Sequence, residues 1–169
     1  MKDKRILAGG GALIIAVAGF WFFIKPEFLD AAPAEQRPLT QEEIATAPRP
    51  TIELEEMVLN LVASPGRESF VRIEIALEFA DPDHAYVRLS PSQVRNKNEA
   101  FAENLDPQMH RVRDTVHSVI GSTRAADVST PQGREELKEE LRTALNEQLH
   151  DYTVEQVYFI TFITQTVVP

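Results

Sequence analysis

The chain has 169 residues, 25% of them charged, a formal net charge of −9 and no cysteine. Without cysteine there is no disulfide framework, no thiolate metal site and no cysteine nucleophile, so packing alone must hold the folded part. The acidity lies in residues 51–169, with 20 acidic and 11 basic side chains against six of each in residues 1–50, and such a domain repels phosphate backbones, which argues against nucleic acid.

Residues 1–5 carry Lys2, Lys4 and Arg5 against Asp3. Ile6 to Ile24 then run for 19 residues without a charge. As an α-helix that run is about 28 Å long, close to the ~30 Å hydrocarbon core of a bilayer. The basic residues before it predict a cytoplasmic tail at 1–5, a single membrane helix at 6–24 and everything after Lys25 on the far side. Trp21-Phe22-Phe23 forms an aromatic end suited to a membrane interface. Ala8, Ala12 and Ala16 recur every four residues, with Gly19 nearby, the kind of small-residue ridge along which membrane helices approach. Gly9-Gly10-Gly11 is not a phosphate loop, because no Lys-Ser/Thr follows it. The rival reading is a cleaved signal peptide ending at Ala32-Pro33-Ala34. Against it stand the length of the apolar run, its bulky aromatic end and the ten residues from Lys25 to Ala34 that follow it.

Residues 25–50 hold five of the 11 prolines and little apolar surface. The expectation is a semi-rigid spacer reaching at most about 75 Å, with one or two marginal helical turns over Thr40 to Ala47. The domain is expected at 51–169. Thr51 to Val62 reads as a strand, Ser64-Pro65-Gly66-Arg67 as a turn, and Glu68 to Ala80 as a second strand. In that second strand Val71, Ile73, Ile75, Leu77 and Phe79 alternate with polar residues, so one face is core and one wet, and the two strands should pair as an antiparallel hairpin.

Ser90-Pro91 is a helix start with a weak apolar stripe of Val94, Ala100, Phe101 and Leu105. Asp106-Pro107 is the next N-cap and N1 pair, opening a helix through Val112, Val116, Val119 and Ile120 that Gly121 should end. Thr130-Pro131 repeats the device, and Leu137, Leu141, Ala144, Leu145 and Leu149 line the face of a last helix with Glu135–Lys138 and Glu139–Arg142 outside. The final strand spans about Thr153 to Val168. Strict alternation puts Val157, Phe159 and Ile163 on one side and Tyr158, Ile160 and Phe162 on the other, apolar on both, which suits a buried central strand. The same uncharged run has strong β-propensity. Were its edge or face open, it would pair with another chain, and Tyr158, Phe159 and Phe162 are the candidate assembly contacts. The fold class is α+β: an antiparallel strand pair, two or more helices and a C-terminal strand behind one membrane helix.

No catalytic constellation emerges. His84, His110, His117 and His150 lack zinc-ligand spacing, the glutamates at 135, 136, 139 and 140 read as a solvated helix face, and there is neither a nucleophile elbow nor a nucleotide loop. No enzyme activity, cofactor or metal is expected.

Together these pieces resemble the FliL family of flagellar basal-body-associated proteins. The likeness rests on five stretches in order: Glu55 to Leu61 (EEMVLNL), Val71 to Glu78 (VRIEIALE), Met109 to Val116 (MHRVRDTV), Ser129 to Leu141 (STPQGREELKEEL) and Val157-Tyr158-Phe159 with Phe162 and Gln165. The connection 82–105 is longer than the family's usual one. The resemblance implies a non-enzymatic protein of the inner membrane and periplasm, with a stomatin/prohibitin (SPFH)-like domain that forms homo-oligomeric rings. It implies the MotA/MotB stator, and with it the basal-body MS ring, as neighbours, and support of torque, swarming or chemotactic motility as the role. The alternative is a membrane-tethered binding module or chaperone for an exported client.

Overall fold

The computed structural model describes residues 37–168. The expected cytoplasmic tail, the membrane helix with Ile6, Ala8, Ala12, Ala16, Gly19, Trp21 and Ile24, and the first part of the spacer lie outside the described residues. Among the described residues no helix is long and apolar enough to cross a membrane.

The chain from Thr40 onward is one compact unit. A short helix α1 (Gln41–Thr46) precedes strands β1 (Thr51–Leu61) and β2 (Glu68–Phe79). Three helices follow, α2 (Pro91–Leu105), α3 (Met109–Ser122) and α4 (Pro131–Gln148), and β3 (Val154–Val167) closes the sequence of elements. The sheet has the order β1-β2-β3 and is antiparallel throughout. The mixed α+β class and the hairpin are as expected.

The alternating residues of β2 dictate the layers. Val71, Ile73, Ile75 and Leu77 are completely buried, since β2 is flanked on both sides and packed on one face. Against that face lie Val112, Val116 and Ile120 of α3 and Leu137, Leu141 and Leu145 of α4. Phe79, Phe101 and Tyr152 close one end, with ring centroids 5.0 to 6.4 Å apart. Each fully buried aliphatic side chain here contributes about 1.5–3 kcal/mol through area removed from water.

The helix starts follow their caps. Ser90 and Gln93 form a reciprocal capping box before Pro91, and the Thr130 hydroxyl accepts from Gly133 N at 3.0 Å, with Pro131 at the first position of α4. Gly133 is required there: a Cβ would meet the Asp127 carbonyl oxygen at 1.8 Å.

Four expectations are corrected. Asp106 does not cap α3; its backbone stays right-handed helical and 106–108 is a 3₁₀ turn continuing from α2. The N–H of Asp106 already bonds Ala102 O, so the chain never leaves helical geometry as an N-cap must. Gly121 does not end α3, which runs to Ser122 with Thr123 as its extended C-cap. There Thr123 and Ser122 hydroxyls donate back to Val119 O, doing the work assigned to a glycine.

The third correction concerns β3, which is an edge strand, not a central one. The fourth concerns its faces. Glu74 pairs with Thr161 but Ile75 pairs with Phe159, leaving Ile160 as an extra residue. This bulge shifts the alternation by one. Val157, Phe159 and Phe162 therefore share the packed face, while Tyr158 and Ile163 share the other.

Candidate assembly surface

The helices cover one face of the sheet. On the other, β1 contributes Glu53, Val58 and Asn60, β2 contributes Phe70, Arg72 and Glu74, and β3 contributes Tyr158, Ile163 and Val167. Val58, Arg72 and Ile163 form one row across all three strands. Val58 is 65% exposed, Ile163 50% and Tyr158 45%. Arg72 in that row reaches Glu56 at 3.7 Å, an exposed pair of small energetic weight.

The three candidate contacts are thus not on one surface. Phe159 and Phe162 stack on each other at 4.9 Å, half-buried on the helix side, with Lys138 Nζ 5.4 Å from the Phe159 ring. Tyr158 alone of the three faces outward. Partial burial, and then the neighbouring Glu78 carboxylate, hold its phenol above the ordinary pKa. Beside it Ile160, the bulged residue, is 50% exposed at the open edge. From Gln156 to Val168 that edge carries no charge.

A second set of contacts was not foreseen. Arg88 Nε donates to Glu43 Oε1 at 3.1 Å and Nη2 to Glu43 Oε2 at 3.0 Å, binding α1 to the connection after β2. Glu43 also accepts from Thr40 N and Oγ1, so it caps α1 and holds the arginine at once. Arg49 pairs with Glu155 and lies 4.0 Å from Glu78, and Thr51 N donates to Asn98 Oδ1. The connection itself turns sharply: His84 and Arg88 have φ of 52° and 62°, and Asp81 accepts from Ala85 N and Tyr86 N. Tyr86 is buried beneath it with no partner for its hydroxyl, and burial first, then Asp81, raises its pKa.

Open crevices surround the core. One of about 550 Å³ between α3 and α4 brings His110 near Asp114 and Glu147, with Arg111 at its rim. His117 is not part of it. Among the described residues no three His, Asp or Glu side chains converge as a metal site does.

Fold and surface together define a class: a small α+β domain with one face of its sheet packed by helices, the other bare, and one rim uncharged. The comparisons give the particular family. The model for flagellar basal body-associated protein FliL matches residues 51–165, and the chain belongs to that family. It is similar to a flagellar protein FliL of Aquifex aeolicus (strain VF5), 29% identical over 108 residues, 64% of this chain and 56% of that protein. A flagellar protein FliL of Bacillus subtilis (strain 168) is 27% identical over 115 residues, 68% of this chain and 67% of that protein. The chain thus spans little more than half the length of the Aquifex relative.

Proposed function

We propose that this protein is a non-enzymatic component of the flagellar basal body, held in the inner membrane by residues 6–24, which assembles with copies of itself outside the cytoplasm and supports the motor's stator. The family match over 51–165 is the observation that carries the flagellar role. The assembly reading draws support from the exposed Val58, Tyr158 and Ile163 on the face of the sheet that the helices leave bare, since exposed apolar surface of this kind marks sites of association. A stomatin/prohibitin-like ring beside MotA/MotB is the finer form of the proposal. The reading of a client-holding chaperone calls for an apolar cleft; the crevice between α3 and α4 and the one beside Thr166 are instead bordered by more polar and charged side chains than apolar ones.

Deleting the gene should lower motility most where load on the motor is high, as in swarming or viscous medium. Unchanged swarming would overturn the proposal. Crosslinking in intact cells should trap stator subunits and copies of this chain.

A further inference from the structure

At the end of the sheet farthest from Thr51, ten residues and about 34 Å along β1, the surface changes character. A crevice of about 510 Å³ opens between the end of β3 and the turn after α3. Arg67 and Arg124 stand on it, with Ser64, Ser69, Ser129 and Thr166 between them. No carboxylate lines it, in a domain with 20 acidic residues against 11 basic ones.

The site is built, not incidental. Ser69 is 5% exposed, the one buried polar residue among those described, and its hydroxyl meets that of Thr166 at 2.9 Å. The Arg124 backbone is fixed because Val62 N donates to Thr123 O at 2.9 Å and Ala125 N to Val62 O at 3.0 Å, a parallel bridge to the end of β1. Arg67 is set by the Gly66 turn, where φ is 74° and Arg67 N donates to Ser64 O. Neither arginine forms an ion pair with any described residue, a property they share with Arg95, Lys97, Arg111, Arg113 and Arg134, but these two stand on one crevice. Arg124 also borders a crevice holding Asp127, Glu136 and Glu140, yet pairs with none of them.

Two guanidinium forks on a crevice that no carboxylate lines suit carboxylates, although Glu68 borders a neighbouring crevice with Arg67. The uncharged rim of β3 ends at Thr166 in the same place, and a bare strand edge accepts an extended backbone. A small anion would use the arginines and ignore the edge. We propose that this end of the domain binds an extended acidic segment of another protein, its carboxylates on Arg67 and Arg124 and its backbone prolonging the sheet from β3. A second copy of this chain fits worse. Its exposed Glu53, Glu55 and Glu56 fall in the first six residues of β1, at least five short of its Leu61 end, and in the proposed cyclic ring every copy stands the same way up; that exclusion alone rests on the ring.

The full-length protein in detergent is titrated with a ten-residue peptide alternating glutamate and threonine, and with its lysine–threonine counterpart. The acidic peptide should bind at least tenfold tighter than the basic one. Its binding should weaken steeply with salt, and it should slow amide exchange across Ile160 to Val167. The double variant R67Q/R124Q should lose at least tenfold in affinity with its thermal midpoint unchanged, while R95Q should bind as the parent does. Equal binding of the two peptides, or full binding by R67Q/R124Q, overturns the proposal. So does protection absent from β3, which would leave a bare anion site. These readouts involve neither motility nor the stator, so they fail or succeed separately from the flagellar reading.

Discussion

The two rims of this three-stranded sheet differ sharply in charge, one of the properties that govern strand addition. The β1 rim carries Glu53, Glu55 and Glu56 and is broken where Leu54 pairs with Ile75 but Met57 with Ile73. The β3 rim is uncharged for its last 13 residues, Gln156 to Val168. Charge and bulges on an edge discourage strand addition, while a long neutral edge invites it. Both strands have a bulge opposite the same stretch of β2, around Glu74. The asymmetry is therefore one of charge more than of geometry.

Deleting Ile160 breaks the comparison most severely. Without the bulge residue one part of β3 must turn its faces over, exposing Phe162 or burying Thr161 and Ile163 in its place. The expected loss is about 3 kcal/mol or more, read as the shift in urea midpoint. Ile163→Lys comes next. Its site is half exposed, so folding should change by no more than about 0.5 kcal/mol, but light scattering on the full chain should show weaker self-association. Val58→Lys, at the other end of the same row, should weaken it similarly; an effect from Ile163→Lys alone would shift assembly from the bare face to the rim.

Arg88→Ala should cost about 1–2 kcal/mol, because it removes the two charge-assisted hydrogen bonds that tie α1 to the connection after β2. Proteolysis between Thr40 and Pro50 should speed up, and the reversed pair Glu43→Arg/Arg88→Glu should recover part of the protection. The smallest change expected is Tyr86→Phe. The hydroxyl removed is buried without a partner, so stability should hold or rise, within about 1 kcal/mol. The parent should also lose stability as pH climbs above about 10. There the unfolded tyrosine releases a proton that folded Tyr86, its pKa raised, still holds. Tyr86→Phe should flatten that decline in a pH series of thermal melts.

Much of this was legible from local chemistry. The alternation of Val71 to Phe79 gave the core strand, and Ser90-Pro91 and Thr130-Pro131 gave two helix starts, because caps and periodicity act over three or four residues. Alternation says which side chains face in; it does not say whether a strand has one neighbour or two. That is why β3, apolar on both faces, read as central. The bulge at Ile160 sits inside an unbroken apolar run with no glycine or proline to signal it. Arg88 and Glu43 are 45 positions apart, and the crevice gathers Arg67, Arg124 and Thr166 from three distant stretches; only folding brings such groups together. The candidate contacts Tyr158, Phe159 and Phe162 all fall on β3 but are divided between its two faces by a single residue.

The clasp between Arg88 and Glu43 bears on distance. Read as sequence, the proline-rich stretch 26–50 offers 25 residues of leash, at most about 75 Å. With the chain from Thr40 onward part of the folded unit, residues 40–50 belong to the domain and not to the leash, so the reach read from the sequence counts eleven residues too many.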